Sequence, residues 1–216
     1  TLSPTLIVFA VVVIIGVVFV VAMLAANFGY AETVKRVIMY SMPFMVFVVY
    51  CLCDVSKICH IMFYQHDRYI LRNSISNSDR TEDYLYRLYR LLRINAVPVG
   101  MLVLVYIITG ILILDGDSLN VIIQLCIAII SLGVLFTALG LALYYLLQPY
   151  NNEAEHTNYA YIIVTLLLYL AGYGCVYIRI SAMAYMTGIV VATGLIVAGA
   201  VTLVYKVSVR TFKIRK

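Results

Sequence analysis

Residues 63–93 read FYQHDRYILRNSISNSDRTEDYLYRLYRLLR, and this stretch decides how the rest of the chain is placed. It holds six arginines and four acidic residues, and long apolar stretches lie on both sides of it. Charged side chains this dense must stay in water, because burying an unpaired charge is costly. Short loops rich in Lys and Arg remain on the cytoplasmic side of a membrane. The stretch is therefore predicted to be cytoplasmic, and it orients every other segment.

The composition predicts an integral membrane protein. Of the 216 residues, 64% are hydrophobic, and the mean hydropathy is +1.03, whereas soluble domains are about 45–50% apolar. The excess lies in runs of roughly 20 residues, the length that crosses a hydrocarbon core of about 30 Å. The basic residues behind the net charge of +5 lie beside these runs, which indicates membrane orientation and no nucleic-acid partner. We expect a multi-pass protein of the cytoplasmic membrane, in contact with membrane lipid.

Six apolar runs predict an all-α, polytopic bundle of six transmembrane helices in a single membrane domain, residues 1–216. In lipid, a helix satisfies its own backbone hydrogen bonds, which an isolated strand cannot do. The predicted spans are residues 6–26, 37–64, 97–114, 121–147, 159–177 and 183–205. This arrangement places both termini on the cytoplasmic side, together with residues 64–96, 148–158 and 206–216.

A cytoplasmic amphipathic helix is predicted between spans two and three. Asp79-Arg-Thr-Glu82 has the form of a helix-capping box, with Asp in place of the usual Ser or Thr. After it, leucines recur at helical spacing, and Asp83 and Arg87 are four residues apart, the spacing of a helical ion pair. We expect this helix to lie along the inner membrane surface and to turn upward into the third span at Pro98.

The second span is predicted to continue as one helix from residue 37 to residue 64, through Pro43. Asp54 and Lys57 lie in its second half, three residues apart. They are interpreted either as an ion pair near the membrane interface or as polar groups that line a pathway.

No catalytic, cofactor-binding or metal-binding residue is predicted. The sequence lacks the GxxxxGK[ST] loop that binds nucleotide phosphates, and it lacks the HExxH and GxSxG motifs. The five cysteines are interpreted as reduced, packed side chains. Cys53 and His60 would lie about 10 Å apart along a helix, too far to share an ion. We therefore expect that the chain is not itself an enzyme.

Small residues on the later spans predict close helix packing. Two pairs in the sixth span are four residues apart, and two glycines lie in the fourth span. Such residues let membrane helices approach each other closely. The residues concerned are Gly133, Gly140, Gly188, Ala192, Gly194 and Ala198.

Three groups of motifs give residues 37–216 a family resemblance. They are FYxxD, ILR and NxxP at 63–67, 70–72 and 95–98, then YYLLQPY at 144–150, and YKVSVRTFK at 205–213. Together they resemble the permease subunits of bacterial type-2 ABC exporters, a group common in Firmicutes. The amphipathic helix that precedes the first span in that group is missing before Thr1. The resemblance implies that the chain is the C-terminal six-span half of a larger permease.

In this family a cytoplasmic segment couples the membrane subunit to a separate ATPase, and two six-span units form the pathway. The resemblance therefore implies an ABC ATPase subunit as a partner, and a second permease half or a second copy of the chain. It also implies export of an amphipathic or apolar substrate. The chain departs from many relatives at residues 73–76, where NSIS replaces a Leu-Pro-Ile-Ser turn. The residues that the resemblance assigns to ATPase coupling are Phe63, Asp67, Arg72, Asp79, Asp83, Tyr84, Arg87, Gln148, Pro149 and Tyr150.

Two other classes of function stay open at the level of the sequence. A secondary transporter or channel that works alone would need ionisable residues deep in its spans. Apart from Asp54 and Lys57, the predicted spans have almost none. A membrane protein that binds or senses a partner without transport fits the sequence as well.

Overall fold

The computed structural model describes residues 43–53, 55–67, 80–113, 116–150, 158–177 and 181–211. All regular elements among these residues are helical, as predicted. The six α-helices are α1 Phe44–Leu52, α2 Val55–Met62, α3 Arg80–Ile113, α4 Gly116–Leu147, α5 Tyr159–Gly174 and α6 Ala182–Thr211. A π-helical turn, Phe63–Asp67, continues α2, and a 3-10 turn, Cys175–Tyr177, follows α5. The predicted first span lies outside the described residues, as do Arg72 and Asp79.

Three of the described helices are long and apolar enough to cross a membrane. The segments are Glu82–Ile108 in α3, Asn120–Leu147 in α4 and Met183–Val207 in α6. The apolar helix α5 is shorter, with 16 residues. These helices indicate a membrane protein. The number of spans and their orientation stay predictions.

Helix α3 is continuous, so no break at Pro98 separates the predicted amphipathic helix from the predicted third span. Its 34 residues run through the proline without a break and measure about 51 Å, more than the hydrocarbon core. Proline cannot donate a backbone hydrogen bond to the carbonyl of Ile94. Contacts with α4 on both sides of the proline hold the helix in place. The Asn95 amide donates to Thr137 at 2.9 Å, and Val99 packs against Gly133.

The predicted second span is not one helix, because α1 ends at Leu52 and Cys53 interrupts the helix. Cys53 has φ −85° and ψ 60°, outside the helical region, although its N–H still donates to the carbonyl of Val49 at 2.9 Å. Val55 then donates back to the carbonyl of Cys53 at 2.7 Å. Asp54 and the side chain of Lys57 lie outside the described residues, so both interpretations of that pair stay open. The break sits beside Gly140 of α4, whose missing side chain makes room for Val55.

Helix α4 is the centre of the bundle. Its apolar window is 61% buried, compared with 22% in α3 and 11% in α6. Helices α3 and α4 are antiparallel, because contacts of Arg87 and then Val99 on α3 fall on Tyr145 and then Gly133 on α4. Helix α6 runs parallel to α4, since its Tyr185 packs in the cluster that contains Leu125 and its Val204 packs in the cluster that contains Tyr144. We call the end where α3 begins and α4 and α6 end the basic end.

Two apolar clusters divide the bundle along its length. The cluster at the basic end is rich in tyrosine and contains Tyr84, Leu88, Leu141, Tyr144 and Val204. The cluster in the opposite half is mostly aliphatic and contains Met45, Val49, Leu125, Ile129 and Leu132. Asp67, Asp83 and Arg87, described below, contact tyrosines of the first cluster.

Candidate functional site: a buried ion-pair network at the basic end

The centre of the site is an ion pair between Asp67 and Arg87. Asp67 closes the π-helical turn, and Arg87 lies in the second turn of α3. The two guanidinium Nη atoms donate to the two carboxylate oxygens at 2.6 and 2.8 Å. This bidentate geometry is the strongest and most directional form of an Arg–carboxylate pair. The Asp67 side chain is 2% exposed and the Arg87 side chain 11%, so water is almost excluded from both.

A second carboxylate, Asp83, completes the surroundings of the Arg87 guanidinium. Arg87 Nε donates to Asp83 Oδ1 at 2.9 Å, across one turn of α3. The other oxygen of Asp83 accepts a hydrogen bond from the hydroxyl of Tyr145. Asp83 is 35% exposed, so it forms the wet edge of the network. Because its donors already face two carboxylates, Arg87 is committed to internal contacts and is not available to bind a phosphate.

Buried phenols of α4 and α3 stabilise this charge. The Tyr144 hydroxyl donates to Asp67 Oδ2 at 2.5 Å. The Tyr84 hydroxyl donates to the backbone carbonyl of Ala138 at 3.1 Å. Together with Tyr145, these tyrosines tie the π-helical turn, α3 and α4 to one another. We call Asp67, Asp83, Arg87, Tyr144 and Tyr145 the buried ion-pair network.

Aromatic packing shields the buried part of the network from water. The ring of Tyr145 packs edge to face against those of Tyr84 and Tyr144, each with centroids 5.7 Å apart. The ring of Tyr150 lies 5.1 Å from Phe63 and 6.1 Å from Tyr144. Edge-to-face pairs are favourable beyond the area they bury. In such a low-dielectric setting the hydrogen bonds gain strength, and the loss of one partner becomes expensive.

The π-helical turn explains how Asp67 reaches its partners. Cys59, Phe63 and Asp67 recur every four residues, and all three are buried. In an α-helix, with 3.6 residues per turn, this spacing would drift off one face. The wider π turn, a feature often found at functional sites, keeps Asp67 on the face that meets α3.

The described residues among those predicted to couple to an ATPase are gathered at one place, but most of them point into the molecule. Phe63, Asp67, Tyr84, Gln148 and Tyr150 are all buried, as is Pro149. Tyr84 therefore offers no exposed surface in this structure, and the coupling role of the group stays a prediction. The outward side of α3 is formed by Glu82, Leu85, Tyr86, Tyr89 and Arg90.

Tyr144 and Tyr145 belong to the site, although they were not among the predicted coupling residues. Two adjacent phenols at the end of an otherwise apolar helix are a signal that could have pointed to buried polar partners, because a buried tyrosine hydroxyl needs a hydrogen bond. Their partners lie 77 and 62 residues away along the chain. That separation hides the pairing from any local pattern.

Gln148 follows α4 in an unusual state. Its φ of 37° lies in the left-handed region, while its N–H still donates to the carbonyl of Tyr144 at 3.1 Å. Its side chain is fully buried, and neither Oε1 nor Nε2 has a hydrogen-bond partner in the described structure. A buried orphan amide is rare and costly. The next helix begins nearby, where Asn158 caps α5 and also donates to the carbonyl of Leu147.

The small residues predicted to pack fall into two groups. A Cβ on Gly133 would lie 3.0 Å from Val99 Cγ2, and one on Gly140 would lie 2.8 Å from Val55 Cβ. A Cβ on Gly188 or Gly194 would meet nothing within 4 Å in the described part of the chain. In α6, Ala192 is half-buried against the second cluster and Ala198 is exposed. Close approach within the described bundle therefore involves the glycines of α4.

Comparison of the chain with protein-family models, with curated proteins and with solved structures finds no match. Among the described residues, no three His, Cys, Asp or Glu side chains lie close enough together to hold a metal ion. The functional argument therefore rests on the network and on the helices it joins.

Proposed function

We propose that the chain is the membrane-spanning subunit of a type-2 ABC exporter, driven by a separate ATPase that acts on the basic end. One observation carries the proposal: the buried ion-pair network fixes the charged segment to the helices. Asp67 and Arg87 join the end of α2 to the start of α3, and Tyr144 joins both to α4. A force applied to this segment would reach two helices that lead into the membrane.

The network exceeds what membrane insertion needs. Orientation depends on how many basic residues lie beside a span, not on where each guanidinium points. Removing a charged pair from water carries a cost of several kcal/mol per ion before the attraction offsets it. A buried, bidentate Asp67–Arg87 pair therefore fits a segment that must hold one position relative to the helices. Transmission of motion from a partner is a function with that requirement.

The outward side of α3 is the surface where the ATPase would bind. Its exposed side chains are Leu85, Tyr86 and Tyr89, beside Glu82 and Arg90. Exposed aromatic residues beside arginine are typical of protein interfaces. The inward side of the same helix is held by Tyr84 and Arg87. One helix thus combines a fixed inner side with an exposed outer side that a second subunit could push.

Photocrosslinking tests the proposed partner. A photoreactive phenylalanine replaces Tyr86 in one variant and Tyr177 in a matched control, at 68% and 75% exposure and at opposite ends of the bundle. In native membranes, position 86 should crosslink to a subunit that hydrolyses ATP, and position 177 should not. Equal crosslinking from both positions, or purified complexes without ATP hydrolysis, would contradict the proposal.

A mutant pair tests the same surface by affinity. Replacing Leu85 and Tyr86 with Ser should reduce ATPase co-purification, since losing an aromatic anchor costs about 2 kcal/mol, roughly a thirtyfold loss of affinity. Tyr177→Ser should leave co-purification unchanged. Substituting Asp83 and Tyr84 would be less informative, because both make internal contacts and their loss would disturb the fold.

A further inference from the structure

A cleft of about 230 Å³ lies where α1 breaks into α2, beside α4 and α5. Its walls include Tyr50, Val55, Phe136, Leu139, Gly140 and Leu168. We call it the side cleft. For scale, an apolar cavity of about 150 Å³ stays dry and binds benzene. The side cleft is therefore large enough for several carbon atoms of a chain.

The walls of the side cleft are held in place before any ligand arrives. The ring of Tyr50 packs edge to face on Phe136 with centroids 5.2 Å apart, and its hydroxyl donates to the carbonyl of Thr165 at 3.2 Å. The break at Cys53 and the bare backbone of Gly140 bring Val55 against α4. Ligand sites are commonly preformed concave surfaces of this kind.

The chemistry of the walls favours hydrocarbon. No charged residue is among those that line the cleft. Two of the three wall residues with a hydroxyl already donate it to backbone carbonyls: Tyr50 to Thr165, and Thr165 to Tyr161 at 2.8 Å. A sugar or nucleotide would lose its bonds to water and regain few, which is costly. An alkyl chain has no such bonds to lose.

The position of the side cleft matches the depth of an alkyl chain. Gly140 and Leu143 lie within the apolar segment Asn120–Leu147 of α4. Gly140 is seven residues from the end of that helix, about 10 Å along its axis. A chain in the cleft would therefore lie within the apolar layer, on the side of the basic end. Cys51 is exposed on the rim, so the cleft opens at the side of the bundle.

From these observations, we propose that the side cleft binds the alkyl chain of a single-chain amphiphile. Resting on the proposed export function, this assigns the substrate class as lipid-like amphiphiles and places the apolar end of the substrate inside one subunit. The break between α1 and α2 is then the feature that creates the site. A straight helix through Cys53 would not place Val55 in the wall in the same way.

Tryptophan fluorescence can test the site, because the chain has no tryptophan. Leu168→Trp places a reporter in the cleft wall, and Leu167→Trp places a control on the exposed side of α5. Each variant is reconstituted in phospholipid nanodiscs and titrated with a brominated fatty acid, whose chain quenches tryptophan on contact. Quenching at position 168 should saturate at a low mole fraction, whereas quenching at 167 should rise linearly.

A substitution that fills the side cleft provides a second test. Leu139→Phe, combined with Leu168→Trp, should weaken the saturable quenching roughly tenfold, equivalent to about 1.4 kcal/mol. As a readout without a new tryptophan, the native thiol of Cys51 should react more slowly with a maleimide when the fatty acid is present. Linear quenching at both positions, with unchanged Cys51 reactivity, would show bulk lipid only and overturn the proposal. No ATPase takes part, so failure here is distinct from failure of the proposed function.

Discussion

The two halves of the bundle are held together by different means. At the basic end, directional contacts between charged groups join α2, α3 and α4, with Asp67 and Arg87 at their centre. In the opposite half, aliphatic side chains pack around α4, and Gly133 accepts the side chain of Val99. Charge pairs fail when one partner is lost, whereas apolar packing depends on fit. The basic end should therefore be intolerant of single changes, and the opposite half should respond mainly to volume.

The largest effect is expected from Arg87→Met. It leaves Asp67 buried without its counter-charge, and breaking a buried pair in this way costs about 3–5 kcal/mol. Thermal unfolding in detergent measures the loss. Arg90→Met on the exposed side of the same helix is the matched control and should change stability by no more than about 0.5 kcal/mol. Equal losses of stability from the two substitutions would contradict the claim that the buried ion pair of Arg87 stabilises the fold.

At the glycines of α4, steric fit against the neighbouring side chains should determine the effect of a substitution on stability. Gly140→Ala sets a methyl group 2.8 Å from Val55 Cβ, which the backbone of α2 holds in place. Overpacking of this kind costs about 1–3 kcal/mol. At Gly133 the nearest atom is Val99 Cγ2 at 3.0 Å, and Val99 Cβ is 3.7 Å away, so Gly133→Ala should cost less. Val99→Ala should rescue Gly133→Ala in thermal unfolding, and the absence of any rescue would show that the contact is not tight.

Substitutions of the two partners in the buried Asn95–Thr137 hydrogen bond should have unequal effects on stability. Asn95→Leu leaves the Thr137 hydroxyl bonded to the carbonyl of Gly133 at 2.7 Å. Asn95→Leu should therefore cost roughly 0.6 kcal/mol, the average for interhelical hydrogen bonds in a membrane protein. Thr137→Val instead leaves the Asn95 amide without its partner, which costs about 1–3 kcal/mol. Unfolding midpoints that fall equally for both variants would argue against the bond.

The smallest effect is expected from Gly194→Leu in α6. A side chain there meets open space in the described bundle. The free energy of unfolding of the isolated chain should therefore change by no more than about 0.5 kcal/mol. The predicted packing at Gly188 and Gly194 would then require another subunit. Size-exclusion chromatography with light scattering compares the assembly of the variant with that of the parent. A marked fall in monomer stability would mean that the face is packed within the chain.

Composition and spacing alone predicted much of the fold and little of the site. Long apolar runs indicated helices, and α3, α4 and α6 follow them. The four-residue spacing of Asp83 and Arg87 indicated a local contact, which the structure contains. The pairing of Arg87 with Asp67 crosses 20 residues, and no helical period links the two positions. Only the fold brings them together.

Three features could not be predicted because they depend on neighbours. The glycines of α4 and α6 are alike in sequence, and only the central position of α4 makes its glycines contact points. Pro98 predicted a turn, yet packing against α4 carries the helix through it. No proline or glycine lies at the break at Cys53, so the sequence does not predict it. In each case tertiary contacts override the local preference.

A double-mutant cycle on Asp67 and Arg87 tests the central claim most directly. The claim is that this pair fixes the charged segment to the membrane helices. Asp67→Asn, Arg87→Met and the double variant are compared by free energy of unfolding in the same detergent. Since the double variant no longer buries the Asp67 carboxylate without its counter-charge, it should be more stable than Arg87→Met alone, and the coupling energy should be about 2–3 kcal/mol. Simple additivity of the two losses would contradict the buried pair.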